Sequence, residues 1–159
     1  MSLYFAYGSN LSTSDWQRWC ADRGHAHEGL RYLRPARLEG WALEFSIRSV
    51  RRSGGVLNIR PQAGAVAWGG LFEVDESGWR ALDEKEGVPR VYERRTVPVV
   101  CAQGLAHEVL TYVAAPGIAV ELVRPADAYV ALVRQALRDL SIDAQGLESA
   151  AAEGYARGR

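Results

Sequence analysis

The spacing of apolar residues divides the chain into a strand-rich first two-thirds and a helical end. Residues 3–7 form a short aromatic run closed by Gly8, which predicts a strand. Over residues 12–20, Trp16, Trp19 and Cys20 share one helical face, and Ser14 with Gln17 has capping-box spacing. A loop is expected over 22–29. Partial alternation predicts a strand over 36–47, then a basic loop over 48–55. Further strands are expected at 55–60 and 65–74, around a turn at 61–64. Asp75 is placed to cap a short helix that Gly87 and Pro89 stop near Glu86. Residues 91–101 and 106–114 read as an antiparallel pair joined through Gln103 and Gly104.

The period then changes. Tyr129, Leu132, Val133, Ala136, Leu137 and Leu140 follow the helical template, with Pro125 and Asp127 suited to the first turn. A last helix is expected from Asp143 to about Glu153, ended by Gly154. Strands without regularly alternating helices predict an α+β domain with a mostly antiparallel, barrel-like sheet. One domain is expected over residues 1–154, with 155–159 as a short tail.

Composition narrows the partners. At 159 residues, with 48% hydrophobic and 24% charged, the chain can bury a real core without disulfide or metal. Nineteen basic side chains balance nineteen acidic ones, and this zero net charge argues against a nucleic-acid partner. Lys85 is the only lysine; every other basic side chain is arginine. The longest apolar stretch, 109–120, is broken by Thr111, Pro116 and Gly117 and is too short to span a bilayer, so no membrane partner is expected. No basic residue precedes the short apolar run among the first eleven residues, so no secretory signal is expected. Cys20 and Cys101 form no disulfide framework and point to a reducing, cytoplasmic setting. Trp16, Trp19, Trp41, Trp68 and Trp79 fit either a core or an interface, which leaves a homodimer open.

Two segments could carry chemistry. At Tyr7-Gly8-Ser9-Asn10-Leu11 a strand gives way to a helix. Backbone N–H groups in such a turn can form an anion-binding nest, with Ser9 and Asn10 adding side-chain donors. A plain strand-to-helix turn uses the same residue types. At Asp83-Glu84-Lys85-Glu86-Gly87, Glu86 stacks on Trp79 and Leu82 at helical spacing and should face inward at a helix C-terminus. Burial and dipole would both favour its protonated form, as suits a proton shuttle. The other reading has Glu86 solvated, or paired with Arg90 or Arg94. Arg48, Arg51 and Arg52 could receive a carboxylate or form a solvated hairpin loop. Cys20, His25 and His27 make only a partial metal set without a fourth ligand, so no metal is expected.

Taken together, residues 4–11 (Tyr-Phe-Ala-Tyr-Gly-Ser-Asn-Leu) and 82–87 (Leu-Asp-Glu-Lys-Glu-Gly) closely resemble the two signatures of the γ-glutamylcyclotransferase family. The similarity extends to residues 69–74, Tyr92 and the helix start at 125–129, where Ala126 stands in place of the usual serine. The resemblance implies a small mixed, mostly antiparallel β-barrel flanked by helices. It implies a small-molecule γ-glutamyl substrate, release of 5-oxoproline, and no cofactor. Glu86 matches the family's catalytic glutamate, and Tyr7, Gly8, Ser9, Asn10, Leu11 and Tyr92 match substrate-binding positions. Tyr-Gly-Ser-Asn-Leu is similar to the branch acting on γ-glutamyl amino acids. The alternatives are a γ-glutamylated specialised metabolite as substrate, or a non-catalytic module binding a small carboxylate. The hydroxyls of Tyr7 and Tyr92 are expected to be free to orient a ligand.

Overall fold

The computed structural model describes residues 2–159. Five strands form a closed barrel: β1 (Ser2–Ala6), β2 (Leu30–Ser49), β3 (Gly54–Val74), β4 (Tyr92–Cys101) and β5 (Ala106–Ala114). Four helices accompany it: α1 (Thr13–Arg23), α2 (Glu76–Glu86), α3 (Asp127–Asp139) and α4 (Gln145–Arg157). The order around the barrel is β1-β3-β2-β4-β5, and a parallel contact at Tyr4 and Leu110 closes it. The other pairings are antiparallel. The α+β class and the mixed barrel expected from the sequence are both present.

Several boundaries differ, each for a physical reason. The long β2–β3 hairpin runs through residues 61–64, where a turn was expected. There Gly40 and Gly64 both take positive φ, and the register shifts between Glu39 and Trp41, so the sequence's turn signals mark a bulge. Ser12, not Ser14, caps α1, its hydroxyl accepting the Asp15 N–H at 3.2 Å. Helix α4 passes Gly154 and continues to Arg157. There the missing side chain lets the helix approach closely: a Cβ on Gly154 would stand 2.9 Å from Pro125 Cδ.

Phe5, Leu38, Phe45, Leu57, Leu71 and Val99 are among the fully buried side chains of the barrel. Trp16, Trp19 and Trp79 are also buried, while Trp41 and Trp68 pack at the margin of the core. Helix α2 is fastened at both ends. Asp75 accepts the Gly78 N–H at 2.8 Å, and Gly87 closes the helix in the left-handed conformation. Near its C-terminus Asp83 takes two hydrogen bonds from Arg94 of β4, at 2.9 and 2.7 Å, and one from Tyr112 Oη of β5, at 2.7 Å. This clamp fixes the direction in which the last turn of α2 presents its side chains. Among the described residues no helix is long and apolar enough to cross a membrane.

Candidate active site

A cavity of about 340 Å³ opens where the end of β1, the end of α2 and the tip of the β2–β3 hairpin meet. That size is within the range of small-ligand pockets. Tyr7, Gly8, Ser9, Asn10, Glu86 and Tyr92 all border it, so the two sequence signatures meet around one space. Leu11 does not: it is buried in the core, and its N–H donates to the Gly8 carbonyl at 3.0 Å within a 3-10 turn. That N–H is therefore spent locally, contrary to its expected part in a binding nest. At Gly8 space is limited. A Cβ there would lie 3.1 Å from the Tyr129 hydroxyl.

The tyrosines also need correction. Tyr7 Oη donates to the Tyr112 carbonyl and Tyr92 Oη to the Leu57 carbonyl, each at 2.7 Å. Their protons are committed to backbone groups, leaving only oxygen lone pairs for a ligand. Tyr4, Tyr112 and Tyr129 line the cavity as well. Sequence reasoning misses Tyr4 and Tyr112 as wall residues because an aromatic on a strand looks like core, and leaves open a substrate contact by Tyr129. Burial pushes the hydroxyls of Tyr4, Tyr7, Tyr92 and Tyr129 upward, so the wall stays uncharged.

Glu86 is the last residue of α2, half-buried, and borders the cavity. Its Oε1 accepts the Asn10 amide N–H at 2.6 Å. Neither Arg90 nor Arg94 pairs with it; Arg94 is held by Asp83. Burial raises its pKa above the ordinary glutamate value, opposed by the Lys85 charge, the Asn10 hydrogen bond and the charges of Arg52 and Arg51. A carboxyl placed between these influences is equipped to exchange protons.

Beneath the 3-10 turn is a polar cluster that sequence reasoning did not assemble. Lys85 Nζ donates to Asn10 Oδ1 at 2.6 Å, Asp15 Oδ2 at 3.0 Å and Ser9 Oγ at 3.3 Å. Its side chain is only 3% exposed. Asp15 also accepts Arg52 Nη2 at 2.8 Å and stands 3.9 Å from Arg51 Nη2. Burial opposes ionisation of Asp15, but the Arg52 hydrogen bond and the Lys85 and Arg52 charges outweigh it and hold the carboxyl at about 2. The basic loop is thus a tight hairpin tip that borders the cavity. Arg52, 16% exposed, is tied to α1 rather than solvated. The one signal in the sequence was that the only lysine adjoins the candidate glutamate.

His25 and Cys20 do not converge on a metal-like arrangement. His25 hydrogen-bonds Glu84 at 2.6 Å and stacks on Trp19, while Cys20 is buried as a free thiol. His27 lies 3.4 Å from Glu28.

A five-stranded mixed barrel with four helices, carrying a half-buried glutamate bonded to the Asn of a Gly-Ser-Asn turn, defines a recognisable class of fold. The profile of one family, described as "Gamma-glutamyl cyclotransferase, AIG2-like", matches residues 4–133, and the chain belongs to that family. Human γ-glutamylcyclotransferase is 34% identical over 91 residues, covering 54% of this chain and 44% of the human protein. The mouse protein of the same name is 35% identical over the same span. The match therefore spans less than half the length of these curated relatives. A solved structure named gamma-glutamyl cyclotransferase aligns at 25% identity with a TM-score of 0.79, covering 95% of this chain and 86% of that one. An uncharacterized human protein aligns with a TM-score of 0.81 at the same identity and coverage.

Proposed function

We propose that this chain cleaves a γ-glutamyl amide, most specifically a γ-glutamyl amino acid, into 5-oxoproline and a free amine. The observation that carries the reading is the 2.6 Å bond between Glu86 of the second signature and Asn10 of the first, beside one cavity. A γ-glutamyl amide carries its own nucleophile, the α-amine. Attack of that nitrogen on the γ-carbonyl carbon forms a five-membered lactam, and the carbon–nitrogen bond to the leaving amine breaks. Glu86, as carboxylate, takes the proton that the α-amine must lose and returns it to the departing nitrogen. The carbonyl oxygen stays in the lactam.

Holding a flexible chain in its cyclic attack geometry can remove several kcal/mol of barrier. The tyrosine-lined cavity is suited to that confinement, and Arg48, Arg51 and Arg52 give its mouth a positive charge complementary to substrate carboxylates. The family assignment and the names of the relatives support the same chemistry.

The test is incubation with a panel of γ-glutamyl dipeptides, following 5-oxoproline by mass spectrometry. Wild-type protein is expected to release it from at least one member. Glu86→Gln is expected to keep the fold and bind the same dipeptide while losing at least about 100-fold in turnover. Binding without product in the wild type would point instead to a non-catalytic carboxylate-binding module.

A further inference from the structure

The proposed mechanism gives Glu86 a task but leaves open which of its two oxygens performs it. The cluster around Lys85, at the wall of the cavity, answers this. Lys85 offers only donors, and its ammonium meets three acceptors: Asn10 Oδ1 at 2.6 Å, Asp15 Oδ2 at 3.0 Å and Ser9 Oγ at 3.3 Å. Three short bonds from one point charge suit an ammonium. A planar guanidinium would bring five donors into the same space, which accounts for a lysine here in a chain that otherwise uses arginine.

The consequence passes through Asn10. Because a donor-only group faces one end of its amide, that end must be the oxygen, and the amide nitrogen must face the other way. Asn10 Nδ2 then spends its two N–H groups on Glu86 Oε1 at 2.6 Å and Tyr4 Oη at 2.9 Å. A proton on Oε1 would oppose the Asn10 N–H, donor against donor. Glu86 Oε2 accepts no hydrogen bond among the described residues, and Glu86 borders the cavity.

We propose that Lys85 is a positioning residue that acts through Asn10: it fixes the amide so that Oε1 of Glu86 is held as an acceptor and Oε2 is the oxygen that takes and returns the proton. The proton-transfer part rests on the reading of Glu86 given above; the orientation of Asn10 and its effect on Glu86 do not. Other groups facing Glu86 are Tyr4 of β1, Tyr7 beyond it, Arg51 and Arg52 of the hairpin tip, Tyr92 of β4, Tyr112 of β5 and Tyr129 of α3, with Asp15 of α1 behind Lys85. Of these, the tyrosines stay neutral, and Arg52 is already engaged by Asp15. Lys85 is therefore the cation bound directly to Asn10, the residue that holds Glu86.

The experiment titrates Glu86 by carbon-13 NMR of protein labelled at the glutamate carboxyl, its signal assigned by its loss in Glu86→Gln. Lys85→Met removes the donor and the charge, and Lys85→Leu does the same with a differently shaped side chain in case the first variant does not fold. Either is expected to move the Glu86 midpoint up by about one pH unit. In an Asn10→Ala background the same change should produce a distinctly smaller shift. An unmoved midpoint in a folded Lys85→Met or Lys85→Leu protein overturns the proposal, as does an equal shift with and without Asn10, which would mean charge acting through space alone. In turnover, the acid limb of kcat/KM should follow the midpoint. If wild-type protein released no 5-oxoproline, the functional reading would fall while the NMR titration still decided the role of Lys85.

Discussion

Asp15 receives two cations on one carboxylate, Arg52 at 2.8 Å and the buried ammonium of Lys85 at 3.0 Å, and its own side chain is 4% exposed. Removing one partner from such a cluster leaves charge without compensation, the costly way to alter a buried ion pair. Asp15→Asn is expected to lower stability at pH 7 by about 3 kcal/mol in urea unfolding. An acid whose folded value lies below its unfolded one stabilises the fold only while ionised. The Asp15 contribution should thus be complete above its ordinary value of 3.8 and fade as pH falls towards about 2. The stability gap between wild type and variant should narrow over that interval, and a constant gap would contradict the assignment. Residues of this cluster were hard to read from sequence. Asp15 looks like an ordinary acidic residue in the first turn of α1. Lys85 is next to Glu86, so helical spacing puts it on another face; its four-carbon stem reaches beneath the 3-10 turn in a way no periodicity encodes. Glu86 was legible because Trp79 and Leu82 mark its face.

Helix α2 carries both Lys85 and Glu86, so its seating sets the site. Its first turn presses against the segment before β2. A Cβ built on Gly78 would collide with the Gly29 carbonyl, and one on Gly29 would stand 2.6 Å from the Gly78 nitrogen. Backbone cannot yield there as a flexible side chain could, so Gly78→Ala is expected to cost about 2 kcal/mol. Because the clamp of Asp83 with Arg94 and Tyr112 remains, the variant should stay folded with its thermal midpoint lowered. An unchanged melting temperature would show that the two segments do not need their close contact. Local signals served well for this helix, whose Asp75 cap and Gly87 stop stand where the sequence puts them. They served less well where tertiary packing overrules them, as at Gly154 inside α4 and in the bulge that replaces the turn at 61–64.

At the scale of the whole molecule, the cavity is a product of barrel closure. The parallel contact between β1 and β5 brings Tyr4 and Tyr112 within 5.6 Å, ring centre to ring centre. The long β2–β3 hairpin returns its arginine tip over the same opening. The α+β class and a barrel-like sheet were legible from the strand pattern, but the order β1-β3-β2-β4-β5 was not, since non-local pairing leaves no local periodic trace. The tyrosine wall was hidden for the same reason. In the proposed reaction the substrate's own amine attacks its γ-carbonyl while Glu86 moves the proton. The most direct test runs the reaction on a γ-glutamyl dipeptide in water enriched in oxygen-18, with Glu86→Gln as the control for uncatalysed cyclisation. The wild type is expected to form 5-oxoproline without heavy oxygen, and the variant to form it only at background rate. Glutamate bearing oxygen-18 would mean that water is the nucleophile and would contradict the proposed reaction.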